Sequence, residues 1–385
     1  MQRIHYSLRA GLDSGIAQIP APAELNVRVR NLVVKTAKGK KLAAGEMIAE
    51  HPSRLGGACH TPFAGKVAKV NYHCLSIRCD GGNEAVEPVN VASMGIGREL
   101  LDSLQDLGID IAPLSRAEVL VVNGLNPEPG VSVAEQLLRD EHETLEEGLK
   151  LARKLIGPLR TVLAVAEGAP YRLAGSETRA VKPSYPNSLG ALVVKAVTGM
   201  EYPENVRVMS VTDLYDLGRV VVSGLPVTDT IMTIGGGNYR VPLGTPIAHV
   251  LAHLKMAVKH DDKVVLGGPF RGEAVYSLDE GVNKGDHGLF VIPAESFPPV
   301  EDAPCINCGE CVLFCPARIQ VNLIARYAEH EMFEMAEKHG LYRCFECGLC
   351  AFNCIARKPL LQYIRFAKAQ LRARGGRDQE PHGND

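Results

Sequence analysis

Two runs near the C-terminal end carry eight of the eleven cysteines. The first reads Cys305-Ile-Asn-Cys308-Gly-Glu-Cys311-Val-Leu-Phe-Cys315-Pro316, and the second reads Cys344-Phe-Glu-Cys347-Gly-Leu-Cys350-Ala-Phe-Asn-Cys354. Both are C-x2-C-x2-C-x3-C, the spacing with which thiolates hold a pair of [4Fe–4S] clusters. Three thiolates from one tight loop cap a face of one iron–sulfur cube. The fourth, carried away by a following helix, reaches the other cube. This assigns Cys305, Cys308, Cys311 and Cys354 to a first cluster, and Cys315, Cys344, Cys347 and Cys350 to a second. Two structural zinc sites are the competing chemistry, but zinc motifs rarely place a third and fourth cysteine at these offsets. Ile355 follows Cys354 where Pro316 follows Cys315. That difference alters a turn and leaves the ligand set intact, so both clusters are expected to form. Two clusters in one small domain make an electron relay.

The remaining reactive side chains read as structural. Cys59, Cys74 and Cys79 have no ligand spacing with one another. His249 and His253 are four apart on a predicted helix but lack the Glu of a metal motif. Lys284-Gly-Asp-His287-Gly reads as a turn, and no nucleophile has a general base beside it. At 385 residues the chain is long enough for several domains, and its formal charge of −2 gives no support for nucleic-acid binding. No apolar run approaches the ~20 residues that span a bilayer. The opening residues lack a signal-peptide core, and cluster thiolates call for a reducing compartment. A cytoplasmic location follows, with docking on a membrane complex left open.

Several kinds of element must position the cysteines. Residues 25–95 read as short strands with Gly and Pro punctuation, and Gly39–Glu50 and His60–Val70 look like related half-units. Such paired units build a lipoyl-like β-sandwich. From residue 96 strands alternate with helices. Leu100, Leu101, Leu104 and Leu107 mark a helix, and Val119–Asn123 an apolar buried strand. A charged helix is expected over 133–156, a strand from Thr161, a helix over 188–199 and a strand from Val206. Together these argue a Rossmann-like α/β unit. Over 218–258 the runs Arg219–Ser223, Asp229–Ile234 and Tyr239–Leu243 read as strands of a β-grasp piece, and Val264–Leu266 leads a strand back into a Gly-rich loop at Gly267-Gly268-Pro269. Between the cysteine runs, Leu323, Ile324, Tyr327, Ala328, Met335 and Ala336 share a helical face, with Gly340 at its end. Pro359 opens a last helix.

The expected fold is therefore multidomain α/β plus α. Its parts are an N-terminal segment with a lipoyl-like sandwich (1–95), a Rossmann-like unit (96–217), a β-grasp segment of SLBB type returning to the α/β unit (218–297), a helical ferredoxin-type dicluster domain (298–371) and a flexible tail (372–385).

In that order, the segments resemble the C subunit of the Rnf electron-transport complex, a relative of the flavin-binding subunit of respiratory complex I. The marks are His60-x-Pro62-x-x-Gly65, Asn123-Gly124 with Glu128-Pro129, Tyr185-Pro186, Gly244-Thr-Pro246, Gly267-Gly268-Pro269 and the Tyr363-Ile-Arg365-x-Ala-Lys368 helix, besides the cysteines. The resemblance implies an electron-transfer subunit at the inner face of the cell membrane, working with other Rnf-type subunits and with ferredoxin or a cytochrome. It also implies FMN and NAD(H) as cofactors, and here the chain departs from the pattern. The family's flavin loop, G-x-G-G-A-x-F-P before the first Rossmann-like strand, cradles phosphate on backbone N–H groups. Leu107–Ala117 stands in its place without those glycines, and Gly56-Gly57-Ala58 resembles a fragment of the loop in the wrong domain, where it reads as a turn.

Two further departures adjoin it. Asn126 and Gly130 replace an acidic residue and an aromatic around Glu128, and Ser188 and apolar residues follow Tyr185-Pro186. What remains of the pocket is Asn123, Gly124, Glu128 and Tyr185, with Gly95-Ile-Gly97 as a substitute phosphate loop. Each lost charge-assisted hydrogen bond is worth about 1.5–3 kcal/mol, so several together cost on the order of 10³-fold in affinity. Flavin and nicotinamide sites are therefore expected to be vestigial. The alternatives are an FMN-containing NADH-oxidising subunit of the same complex, and a soluble flavin and iron–sulfur reductase of this architecture.

Overall fold

A computed structural model describes residues 6–9, 11–12, 14–53, 55–296, 300 and 303–374. The expected tail beyond residue 374 and the expected domain start at Pro298 lie outside the described residues. The described residues form four sheets followed by a helical domain.

The N-terminal strands make two small antiparallel sheets. One runs in the order Glu24–Arg28, Cys74–Cys79, Gly65–Val70, Lys41–Leu42, and the other joins Val33–Val34, Met47–Glu50 and Cys59–His60. Alternate residues point inward, so Leu25, Val27, Ile48, Val67, Leu75 and Ile77 fill the space between the sheets. The two related half-units pair with one another: Leu42 faces Gly65, and Met47 faces His60.

The next unit is a four-stranded parallel sheet in the order Glu177–Val181, Arg160–Ala166, Val119–Asn123, Val206–Ser210. Its central strands are buried on both faces, which explains their unbroken apolar runs. Leu120 and Val122 point to one face, where Val133–Asp140, His142–Ile156 and Val211–Ser223 pack. Val121 points to the other, where it meets Val193 of Gly190–Thr198 together with Cys347 and Leu349. The second cysteine loop thus belongs to the apolar cluster that covers this face of the sheet.

A six-stranded mixed sheet follows, ordered Ala17–Gln18, Gly237–Pro242, Asp229–Ile234, Gly288–Ile292, Lys263–Leu266, Glu273–Ala274. Ile247–His253 covers one face through Ile247, Val250 and Leu251. Five short helices, Glu310–Leu313, Val321–Glu329, Phe333–Lys338, Leu349–Phe352 and Leu360–Ala373, make the last domain around Ile324, Phe333, Ala336, Leu341 and Ile364.

Some expectations are corrected. Arg219–Ser223 is no strand: it ends the helix Val211–Ser223. That helix starts with a capping box in which the Ser210 hydroxyl accepts from the Asp213 N–H, and it stops at Gly224 in the left-handed region. The helical start signal outweighs the β-branched run Val220–Val222, and the expected boundary after 217 falls inside the helix. The helix expected over 133–156 is two, broken at Glu141. The face between the cysteine runs is also carried by two helices, separated at Glu331 with φ +57°. Lys263–Leu266 joins the mixed sheet, not the parallel one. Glu177–Val181, an edge strand with only Val181 buried, carried no apolar signal.

Candidate metal centres and the adjoining cleft

Each cysteine run folds as a loop whose backbone turns at left-handed residues and then enters a short helix. Asn307 and Gly309 do this in the first run, Glu346 and Gly348 in the second. Left-handed turns of this kind let successive cysteines face inward together. The result is two cavities. One is lined by Cys305, Cys308, Cys311 and Cys354, and the other by Cys315, Cys344, Cys347 and Cys350. The crossed sets expected from spacing are thus the sets that share a cavity.

Electrostatics follow the same grouping. Burial pushes the Cys344 thiol up to about 11 and Cys347 up to about 12, and Cys315 adds to both shifts. Burial raises Cys311 as well, with Cys354, Cys305 and Cys308 adding to it. Four sulfurs facing one space cannot all ionise unless a cationic group sits among them. Iron supplies that charge, and soft thiolates are its preferred donors in such clusters. The donor set therefore fits [4Fe–4S] clusters. Backbone N–H groups assist: Glu346 donates to Cys344 Sγ at 3.3 Å and Lys358 to Cys354 Sγ at 3.4 Å.

Exposure separates the two centres. In the first quartet Cys308 is exposed and Cys311 is buried, whereas in the second both Cys347 and Cys350 are buried. The second loop is pinned to the parallel sheet's unit by Tyr185, whose hydroxyl donates to the Cys347 carbonyl at 2.7 Å. The Tyr185 ring stacks on Phe270 at 4.8 Å, Phe270 stacks on Tyr6 at 5.8 Å, and Phe352 meets Phe270 edge-on at 5.2 Å. Tyr185 is therefore a wall residue between the second centre and the sheet.

Glu128 is equally committed. Its buried carboxylate accepts from Phe270 N at 2.7 Å and from Arg271 N at 3.2 Å. A side chain at Gly268 would overlap that carboxylate, which is why glycine stands there. Burial raises the Glu128 carboxyl against the pull of these N–H groups and of Arg271.

A cleft of about 1590 Å³ lies where the sandwich, the parallel sheet and the turn Asn283–His287 meet, beyond the carboxyl ends of Val119–Asn123 and Val206–Ser210. Open parallel sheets hold ligands at this position. Asn123 lines the cleft, its amide donating to the Ser188 carbonyl at 2.8 Å. Gly124 does not line it: a Cβ there would overlap the Ala164 carbonyl, so it serves strand packing. Gly95 and Gly97 are elsewhere. Gly97 stands beside Ser115–Glu118 and Asn205, at the amino ends of the strands, and a side chain at either glycine would meet open space. The structure thus does not gather the residues expected of a flavin pocket.

What does meet in the cleft escaped the sequence. Gly57, in the supposed turn, lies against Gly108 so closely that any side chain would strike its carbonyl. The Gly57 N–H donates to the Asp110 carboxylate at 2.6 Å. Lys284 donates to the Gly108 carbonyl at 2.9 Å and pairs with Asp110 at 3.6 Å and Asp216 at 3.9 Å. Burial pushes the Asp216 carboxyl up to about 6 against the pull of Lys284 and Arg219. Burial would lower the Lys284 ammonium, but Asp110 and Asp216 outweigh it and hold it above its usual value. The place where the resemblance expects a phosphate cradle thus holds an amide and an ammonium already taken by carboxylates, with Asp213 also lining the cleft. A phosphate does not fit there.

A family profile described as "4Fe-4S dicluster domain" matches residues 298–355. The C-terminal domain is thus a dicluster domain, and two [4Fe–4S] clusters are its cofactors. The chain is distantly similar to proteins described as the C subunit of an "Ion-translocating oxidoreductase complex". The protein from Pasteurella multocida is 28% identical over 339 residues, spanning 77% of this chain and 40% of its own length. That from Rhodobacter capsulatus is 27% identical over 414 residues, spanning 94% of this chain and 78% of its own. Among solved structures, an NAD+-reducing [NiFe]-hydrogenase in the H2-reduced state overlaps at a TM-score of 0.42 with 14% identity, covering 71% of this chain and 63% of the other. Among the described residues, no helix is long and apolar enough to cross a membrane.

Proposed function

We propose that this chain is an electron-transfer subunit of an Rnf-type, membrane-associated, ion-translocating oxidoreductase complex, and that it works without flavin or nicotinamide. The two bound clusters supply one-electron redox capacity. The chain's own residues hold them, exclude water from the buried quartet and leave the Cys308 side open to a partner. On this reading the N-terminal sheets are a lipoyl-like sandwich, the parallel sheet a degenerate Rossmann-like unit and the mixed sheet a β-grasp segment, all serving as a docking frame. The proposed ligands are Cys305, Cys308, Cys311 and Cys354 for one cluster, and Cys315, Cys344, Cys347 and Cys350 for the other. The relatives' description supports other subunits of such a complex as partners, and the proposal adds a place at the inner face of the membrane with ferredoxin or a cytochrome as donor or acceptor.

The relay is carried by one observation: two cysteine quartets, each drawn from both runs, line two separate cavities. The flavin-free reading is supported by the Asp110 carboxylate, which takes the Gly57 N–H where the resemblance places a phosphate loop. One observation favours the second reading, an FMN-containing NADH-oxidising subunit: the cleft beyond the strands is large enough for such a ligand. A single assay separates them. Anaerobically purified protein is expected to hold about eight irons per chain and to release no flavin on acid treatment, even after incubation with FMN. One FMN per chain would overturn the flavin-free reading and make NADH oxidation the activity to measure.

A further inference from the structure

The two cysteine loops repeat one backbone and differ in charge at two positions, Asn307 against Glu346 and Glu310 against Leu349. Asn307 and Glu346 each stand immediately before the second cysteine, with φ of 55° and 54°, and Arg318 and Arg357 repeat the correspondence at 54° and 52°. The first loop thus carries a neutral amide where the second carries a carboxylate. That carboxylate is held by the last helix: Lys368 Nζ donates to one Glu346 oxygen at 2.6 Å, and Arg365 Nε to the other at 3.1 Å. The same Lys368 ammonium donates to the Cys344 carbonyl at 3.2 Å, and Arg365 also donates to the Arg271 carbonyl at 2.9 Å. Lys368 is 6% exposed.

The first centre has a different balance. There the buried Lys358 ammonium meets the Glu329 carboxylate at 2.7 Å, and Arg326 also lines the cavity. At the second centre the buried Lys368 ammonium and Arg365 face Glu346, Arg365 also reaching the exposed Glu273 at 3.6 Å, beside a quartet whose Cys347 and Cys350 are buried. Adding an electron to an anionic cluster is harder in a water-poor site, and a buried cation close by offsets that penalty. Lys368 thus stands beside the centre in which two cysteines, Cys347 and Cys350, are buried.

We propose that Lys368, together with Arg365 and acting against Glu346, selectively raises the reduction potential of the second cluster, so that the buried centre stays able to exchange electrons with the open one. The inference rests on the ligand assignment proposed for the two quartets. Lys368 touches no iron ligand side chain, so it is a positioning and potential-setting residue.

The test is an EPR-monitored redox titration of the full chain, anaerobically loaded with iron and sulfide, following two one-electron waves. Lys368→Met is expected to move one wave to lower potential by at least about 59 mV, a tenfold change for a one-electron couple, and to leave the other in place. Glu346→Gln, which copies the neutral character of Asn307, is expected to move the same wave upward. Lys368→Arg restores it. A purely structural role would loosen the loop in both variants and would not give opposite signs. Waves that stay put, that move together, or that shift in the same direction in both variants overturn the proposal while about eight irons leave the ligand assignment standing. If Lys368→Met sheds its cluster, the sign of the Glu346→Gln shift decides alone. About four irons in the unaltered protein would overturn assignment and proposal together.

Discussion

Cys308 is the open member of its quartet, which makes it the proposed ligand that can be replaced with least disturbance to a core. Cys308→Ala removes one of the three ligands that a single loop contributes. The expected result is about four irons per chain and the loss of one EPR signal, with the second quartet intact. Eight irons in that variant would sink the crossed assignment. At this scale the cysteines were legible because an iron–sulfur cube dictates the spacing of its ligands along the chain. The cleft residues were not. Lys284 and Gly108 lie 176 positions apart, and no local pattern announces that a lysine in a turn will reach that carbonyl. Gly57 and Asp110, 53 positions apart, escaped for the same reason. Glu128 and Tyr185 stood out as individuals, but their partners, the Phe270 N–H and the Cys347 carbonyl, are backbone groups that sequence does not single out.

The helices His142–Ile156 and Val211–Ser223 cross at Gly148 and Gly218, where a Cβ would overlap the Leu214 and Thr144 carbonyls respectively. Backbone meets backbone at this crossing, so no side chain can yield. Gly218→Val is expected to destabilise the protein by about 1–3 kcal/mol or more, seen as a lowered midpoint in thermal unfolding; an unchanged midpoint would contradict the close crossing. The central strands were visible because burial on both faces demands continuous apolar residues, as in Leu120-Val121-Val122. The edge strand Glu177–Val181 needs no such run and left no trace. Val220–Val222 misled in the other direction. Its β-branched residues suit a strand, while the deciding signal, Ser210 three residues before Asp213, lay a dozen positions upstream.

Across the whole molecule, the second cysteine loop is part of two cores at once: Cys350 belongs to the helical domain's interior, and Cys347 and Leu349 to the far face of the parallel sheet. Removing iron should therefore do more than empty a site. Amide exchange is expected to rise throughout 303–374 and also around Tyr185 and Phe270, while the N-terminal sandwich keeps its protection. Exchange confined to the cysteine loops would argue against this shared packing. The crossed quartets carry a further consequence, one that concerns synthesis. The ribosome delivers Cys305, Cys308 and Cys311 early in the domain, yet their cavity is completed by Cys354, the last ligand to emerge. The other cavity takes Cys315 from the first run and must wait for the second. Neither quartet is complete until the second run has been made, and a message broken anywhere between the two runs yields four of the eight quartet cysteines and no complete quartet.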